Sequence, residues 1–163
     1  MIRAGILSDS HGDRDSLERL LSTMGHIDML FFLGDIAEDS DWLSKRLSRV
    51  KNPPILWSVR GNNDLASDLP NMLTVPVGER LVFLTHGHLF HVRTGTDELV
   101  RKAKEERASI ALYGHTHEAY CAWESGVLVI NPGAAGNPYG NRRARGCVIE
   151  LDGDRISIKD CVV

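Results

Sequence analysis

The sequence predicts an α/β fold: two mixed β-sheets packed face to face with helices on the outside, a four-layer αββα sandwich forming a single domain over residues 1–163. Before residue 114, short apolar runs rich in β-branched and aromatic residues alternate with segments of helical period, which is typical of strand and crossover-helix units. After residue 118, only short strands joined by turns are predicted. Parallel strands followed by antiparallel ones favour two packed sheets over two domains.

The first half of the chain repeats a strand and a helix. The predicted elements are a strand over residues 2–7, a helix over 14–24, a strand over 29–33, a helix over 40–50 and a strand over 55–59. In the first helix, Leu17, Leu20 and Met24 recur at helical spacing. Pro53 and Pro54 prevent the second helix from continuing into the third strand.

The second half begins with a predicted loop that contains Gly61, Pro70 and Pro76. A strand over residues 80–85, a helix over 96–107 and a strand over 109–113 follow, with Thr96 as the expected N-cap of the helix. The last four strands are predicted over residues 119–123, 127–130, 147–151 and 155–160. They complete the antiparallel part of the fold.

Composition sets limits on function. The 163 residues carry a net charge of -3, with a pI near 6.1, so the overall balance favours neither nucleic acid nor an anionic membrane surface. No apolar run suits a signal peptide or a membrane-spanning helix. The three cysteines are widely spaced and form no C-x-x-C pair, which suits a reducing compartment. We therefore expect a cytoplasmic protein that binds no membrane, with nucleic acid a disfavoured partner.

Five polar clusters each follow a predicted strand directly. They are Asp9-Ser10-His11, Gly34-Asp35, Gly61-Asn62-Asn63-Asp64, His86-Gly87-His88 and Gly114-His115-Thr116-His117. Loops after neighbouring parallel strands meet at one edge of the sheet, so these clusters are expected to converge. Carboxylate, amide and imidazole groups together suit manganese, iron, zinc, nickel or cobalt better than sodium or calcium. The sequence therefore predicts a transition-metal site.

Spacing within two of the clusters supports this interpretation. Asp9 and His11 are separated by one residue, as are His115 and His117, and in an extended segment such residues point to the same side and can grip one ion. Taken singly, Asp9 and Asp35 fit equally well as turn or N-cap residues. Their recurrence with several histidines favours the metal site.

The five clusters, in this order, resemble the signature of the calcineurin-like metallophosphoesterases, which runs D-x-H, G-D, G-N-x-D or G-N-H-E, H-G-x or G-H, and G-H-x-H. The resemblance covers residues 8–133, and the chain is most similar to the small single-domain YfcE-like phosphodiesterases. It implies a hydrolase of small phosphate esters, first of all a phosphodiesterase. It also implies two divalent ions, with Mn²⁺ expected before Fe, Ni, Zn or Co.

Carried over residue by residue, the resemblance implies two ligand sets. One ion would be held by Asp9, His11, Asp35 and His117, and the other by Asp35, Asn62, His86 and His115. Asp35 would bridge them, and hydroxide between the ions would attack phosphorus. Two divalent ions against two ligand carboxylates leave a positive site, so an acidic protein can still attract phosphate. Asp35 and Asn62 are accordingly expected to be catalytic as well as ligating.

The chain departs from the family pattern after Asn62. Many members have a histidine there that assists the leaving group, whereas this chain has Asn63. His88 is the nearest expected substitute for proton donation or phosphate contact. We therefore expect a preference for diesters or activated esters. Asp64 is expected to support the Asn62 loop or to orient His86 without touching an ion.

Three alternatives remain open. The same fold also serves as a non-catalytic protein-interaction scaffold, as in the retromer subunit that has lost key ligands, whereas every ligand position is intact here. A nuclease would use the same ions but needs a basic track. A phosphomonoesterase differs only in substrate. Specificity is expected to come from the loops over residues 64–77 and 90–96, while Arg142, Arg143 and Arg145 fit solvated surface better than a phosphate site.

Overall fold

The fold is given by a computed structural model that describes residues 1–137 and 140–163. The elements in these ranges are β1 Ile2–Leu7, α1 Arg14–Met24, β2 Met29–Phe32, α2 Ala37–Leu47, β3 Ile55–Ser58, β4 Met72–Val77, β5 Arg80–Thr85, a 3-10 helix His88–Phe90, α3 Asp97–Glu105, β6 Ile110–Leu112, β7 Tyr120–Glu124, β8 Val127–Asn131, β9 Arg145–Asp152 and β10 Arg155–Val162. Within the described ranges, none of the helices has the length and apolar character needed to cross a membrane.

Two five-stranded sheets are formed, in the orders β10-β9-β1-β2-β3 and β4-β5-β6-β8-β7. In the first, β1, β2 and β3 are parallel, and β9 runs antiparallel to both β1 and β10. In the second, β5, β6 and β8 are parallel, while β4 and β7 are antiparallel edge strands. The predicted class, two mixed sheets in one domain, is confirmed.

The main core lies between the sheets, because residues of each strand alternate between its two faces. Ala4, Ile6 and Phe31 pack in the layer between the sheets, whereas Leu7 and Phe32 pack with the apolar faces of α1 and α2. Helix α3 covers the outer face of the second sheet in the same way. The order of layers is therefore helices, sheet, sheet, helix, as the sequence predicts.

Strand β4 lies where the sequence analysis placed only a loop, so that prediction was wrong. Met72–Val77 pairs antiparallel with β5, and Pro76 lies opposite Leu81. Because β4 is the edge strand of its sheet, a proline without an N–H group is tolerated there. Six residues of the loop expected to control specificity, 72–77 of residues 64–77, are thus part of the sheet.

Helix α2 begins at Ala37, three residues earlier than predicted, and ends at Leu47. Oδ1 of Asp64 accepts hydrogen bonds from the backbone N–H groups of Ile36 (2.9 Å) and Ala37 (2.8 Å). This cap comes from a loop distant in sequence, so local pattern does not reveal it. Thr96 occupies the N-cap position of α3, as expected, but its hydroxyl donates to Glu124 and makes no capping hydrogen bond.

Candidate metal centre

The five predicted loops meet at one edge of the sandwich. They follow β1, β2 and β3 of the first sheet and β5 and β6 of the second. The two sheets approach closely here: a Cβ on Gly114 would lie 1.9 Å from Oγ of Ser8. Glycine is therefore required where the loop after β6 crosses the loop after β1.

Three of the predicted ligands, Asp9, His11 and His117, form one cluster, which we call the His11 group. Their ligand atoms all lie within 4.8 Å of one another. Nε2 of His117 is 3.1 Å from Nε2 of His11 and 3.2 Å from Oδ1 of Asp9. Contact with the Asp9 carboxylate raises the pKa of His117, even though partial burial opposes its protonation.

Three others, Asn62, His86 and His115, form a second cluster, which we call the Asn62 group. Oδ1 of Asn62 lies 3.1 Å from Nε2 of His86 and 3.0 Å from Nδ1 of His115. Nδ1 of His86 is 2.7 Å from the carbonyl oxygen of Leu33, so it donates its proton there and Nε2 faces the cluster. Burial, followed by the charge of His86, lowers the pKa of His115, which favours the neutral imidazole that coordination needs.

The two carboxylates lie between these clusters. Asp9 is a member of the His11 group, and one of its oxygens also lies within 4.8 Å of ligand atoms of Asp35 and His86. Asp35 accepts hydrogen bonds from the backbone N–H (3.1 Å) and side-chain amide (2.6 Å) of Asn63. The structure thus brings all seven predicted ligands together. Asp9 joins them, because it lies close to His11 and His117 on one side and to Asp35 and His86 on the other.

The donor set fits a divalent cation. Asp9 is fully buried, and its Oδ1 has no hydrogen-bond partner among the described residues, although imidazole nitrogens of His86 and His117 lie within 3.7 Å and 3.2 Å. A buried carboxylate oxygen without a donor is costly unless a cation satisfies it. Burial opposes its ionisation, but the contacts with His117, His86 and Ser8 outweigh this and lower the pKa of Asp9. The Asp9 carboxylate is therefore ionised, and its Oδ1 is available to bind a cation.

The backbone at the site is left-handed, not extended, so the premise of the spacing argument was wrong. The φ angles are 54° at Asp9, 48° at His11, 57° at Asp35, 68° at His115 and 62° at His117. As a result, His115 turns toward the Asn62 group while His117 turns toward the His11 group. The two histidines therefore lie in different clusters, and the prediction from spacing that both point to the same side is wrong.

Buried polar residues behind the ligands hold these loops in place. Asp64 accepts from the N–H of Gly61 (2.6 Å), so it supports the Asn62 loop as expected, and among the described residues it makes no hydrogen bond to His86. The amide of Asn131 donates to the carbonyl of Gly114 and to the hydroxyl of Thr116, both at 3.0 Å. Local sequence gives no sign of the Asn131 contacts, because they join two loops that are separated in the chain.

His88 and Arg93 lie beside the Asn62 group. The rings of His88 and His86 are 5.6 Å apart, and Nδ1 of His88 is buried without a described partner. Burial and the neighbouring His86 lower the pKa of His88, so its imidazole is mainly neutral at neutral pH. Nε of Arg93 donates to Nε2 of His115 at 2.9 Å. The sequence analysis did not single out Arg93, since only the fold brings it to the site.

A groove of about 440 Å³ opens on the opposite side, next to the His11 group. It is lined by His11, Ile36, His117, Ala134, Gly136, Asn137, Asn141 and Arg142. The Arg142 charge acts against protonation of His117. Arg142 therefore borders the site, whereas the sequence analysis favoured solvated surface for it.

Comparison with known proteins gives one family. The profile of the calcineurin-like phosphoesterase superfamily domain matches residues 2–154. The chain is 28% identical over 155 residues to the "Probable metallophosphoesterase YsnB" of Bacillus subtilis, covering 94% of this chain and 87% of that protein. It is also 28% identical over 181 residues to "Phosphodiesterase YfcE" of Escherichia coli, covering 97% and 91%.

Solved structures share the fold. A protein from Streptococcus pneumoniae, described as a conserved uncharacterized protein and predicted phosphoesterase, superposes with a TM-score of 0.80 at 29% identity, covering 99% of this chain and 89% of the other. Vps29 from Entamoeba histolytica, in complex with Zn²⁺, superposes with a TM-score of 0.75 at 19% identity, covering 99% and 98%. At that identity the second likeness shows the fold alone.

Proposed function

The chain belongs to the calcineurin-like phosphoesterase superfamily, and on that basis we propose that it is a phosphodiesterase that works with two divalent ions. One observation carries the proposal. Oδ1 of the buried, ionised Asp9 carboxylate has no hydrogen-bond partner among the described residues, and it lies at the junction of two clusters of nitrogen and oxygen ligands. If only one ion were bound, the ligand atoms of the other cluster would face one another with no cation between them.

The proposed ligand sets follow the two clusters. Asp9, His11, Asp35 and His117 would hold one ion, and Asp35, Asn62, His86 and His115 the other. Asp35 is proposed as the bridge because it lies within reach of Asp9 and His86 and carries two carboxylate oxygens. Asn63, which now donates to both oxygens, would keep the bridging carboxylate oriented.

When bound, a pair of divalent ions lowers the pKa of water and neutralises charge that develops on phosphate oxygens. The protein's own groups would orient the ester above the ions. His88 presents a neutral imidazole and Arg93 a guanidinium beside the Asn62 group, and both can donate hydrogen bonds to phosphate oxygens. Asn62, central in its cluster, ligates through Oδ1, which faces both histidines.

The preference for diesters rests on Asn63. Its amide cannot donate a proton to an alkoxide as an imidazolium can, and it is already committed to Asp35. Departure of the alcohol would then depend on the ester's own reactivity. We therefore propose diesters and activated esters as substrates, Mn²⁺ as the first metal to test, and the cytoplasm as the location, where the free cysteines are stable.

The test combines metal content with substrate choice. We expect the purified protein to contain about two divalent ions per chain and to hydrolyse bis(p-nitrophenyl) phosphate faster than p-nitrophenyl phosphate, with both activities lost on chelation and regained with Mn²⁺. Faster cleavage of the monoester would contradict the diester preference. Bound metal without hydrolysis of any ester would favour the scaffold.

A further inference from the structure

One buried carboxylate near the site is not among the predicted ligands. Asp39, in the first turn of α2, is fully buried. Its Oδ2 accepts hydrogen bonds from Oγ of Ser10 (2.6 Å) and N of Gly12 (2.9 Å), and its Oδ1 accepts from Nε of Arg14 (3.1 Å). All three donors belong to the segment that follows β1.

Two of these donors flank His11 directly in the chain. Ser10 precedes it and Gly12 follows it, and both His11 (φ 48°) and Gly12 (φ 78°) are left-handed. Left-handed backbone is uncommon for a residue other than glycine, and contacts with the surroundings stabilise it. Asp39 accepts hydrogen bonds from the residues on both sides of His11, and so it fixes the backbone conformation that sets the orientation of the imidazole.

We propose that Asp39 is a positioning residue for the ion held by the His11 group. It lies on the helix that follows the Asp35 loop, and the Ser10 hydroxyl also lies 3.3 Å from the carbonyl oxygen of Asp35. Asp39 thus links the loop that carries His11 to the loop that carries the bridging carboxylate. The inference rests on the proposed function, because it assigns Asp39 to one of the two proposed ions.

Asp64 provides the internal comparison. It holds the Asn62 loop through the N–H of Gly61 and the start of α2 through the N–H groups of Ile36 and Ala37. The two aspartates therefore support opposite sides of the centre, Asp39 the His11 group and Asp64 the Asn62 group. A residue that only stabilised the fold would affect both ions alike, whereas positioning residues affect one each.

Replacing Asp39 by asparagine tests the need for a carboxylate at constant shape. The carboxylate has acceptors on both sides, while an amide has one acceptor and one donor. Whichever way the substituted side chain turns its amide, one of the donors from Gly12 or Arg14 faces an N–H group. The variant D39N should therefore release one side of the turn without creating a cavity.

The experiment is a calorimetric titration of the metal-free full chain with Mn²⁺. H11A and H86A assign the two binding steps, because each removes a ligand of one group only. D39N should raise the dissociation constant of the step lost in H11A by about 10–100-fold, the usual effect of removing a ligand's supporting partner. D64N should do the same for the step lost in H86A, and S10A should act as D39N but more weakly, because it removes one of three hydrogen bonds.

D41N is the matched control, because Asp41 lies on the same helix with its side chain exposed. It should bind both ions like the wild type. Unchanged binding in both D39N and S10A, or an equal loss at both steps, would overturn the inference. The proposed function would still stand, because the wild type would still bind two ions. S10A keeps the test decisive if D39N does not fold. A wild-type protein that binds no ion would overturn both.

Discussion

Asp9→Asn is the substitution that separates the metal centre from the fold most cleanly. Oδ2 of Asp9 accepts from the hydroxyl of Ser8 (2.6 Å) and the N–H of His115 (3.0 Å), while Oδ1 has no hydrogen-bond partner among the described residues. Asparagine can keep both acceptances through its carbonyl oxygen and place its NH₂ group toward Nε2 of His117, 3.2 Å from Oδ1. The metal-free fold should therefore tolerate the change.

The variant should, however, lose part of the stabilisation that bound metal gives to the folded protein. An ion present at a hundred times its dissociation constant stabilises the folded state by about 2.7 kcal/mol. For a chain of 163 residues this corresponds to a rise in Tm of about 5–11 °C per ion. Because Asp9 is a proposed ligand of one ion only, the ion of the His11 group, Asp9→Asn should abolish the rise from that ion, about half of the total. His11→Ala removes another ligand of the same ion and should abolish the same half.

The assay is thermal unfolding, followed by circular dichroism, with a chelator and with excess Mn²⁺. In chelator, Asp9→Asn and the wild type should melt within a few degrees of each other. In Mn²⁺, Asp9→Asn should gain only about half of the Tm that the wild type gains. A variant that gained as much Tm as the wild type would refute the reasoning, because the buried carboxylate could then not be a ligand.

Three further outcomes are expected. Asp35→Asn should lower both bound metal and diester hydrolysis by at least about tenfold, as measured by elemental analysis and initial rates, and normal activity would refute its bridging role. Asn63→His should raise the rate with alkyl monoesters more than with aryl diesters by supplying a proton donor, and an equal effect on both would argue against the missing-acid explanation. Contact with Asp9 raises the pKa of His117, whereas burial lowers the pKa of His115, and protons compete with metal for both imidazoles. As pH falls, calorimetry should therefore show the affinity of the His11 group for Mn²⁺ weakening at a higher pH than that of the Asn62 group, and weakening in the opposite order would contradict this.

Much of the fold could be predicted because strands and helices leave periodic patterns in the sequence. The alternation of Ala4, Ile6 and Leu7 between two apolar layers is local information, and it survives in the structure. Strand β4 could not be predicted, because Pro76 argues against a strand unless the edge position is known. The start of α2 was missed for a similar reason, since its cap, Asp64, comes from another loop.

The sequence predicts which side chains come together, but it does not predict how they are arranged. Residues directly after parallel strands must converge, so the five clusters could be placed together from sequence. How His115 and His117 divide between two clusters depends on left-handed backbone at both, which spacing alone does not reveal. Asp39 and Arg93 were missed because their contacts with the site join segments far apart in the chain.

The left-handed conformations explain why so many buried polar groups stand behind the ligands. Such a conformation costs an L-residue about 1 kcal/mol or more, so Asp9, His11, Asp35, His115 and His117 together oppose folding by about 5 kcal/mol. That is comparable to the whole stability of many domains, about 5–15 kcal/mol. The ligand turns can therefore persist only where hydrogen bonds from the rest of the fold hold them. We therefore expect a change in one of these supporting groups to lower the affinity for metal even where the protein still folds.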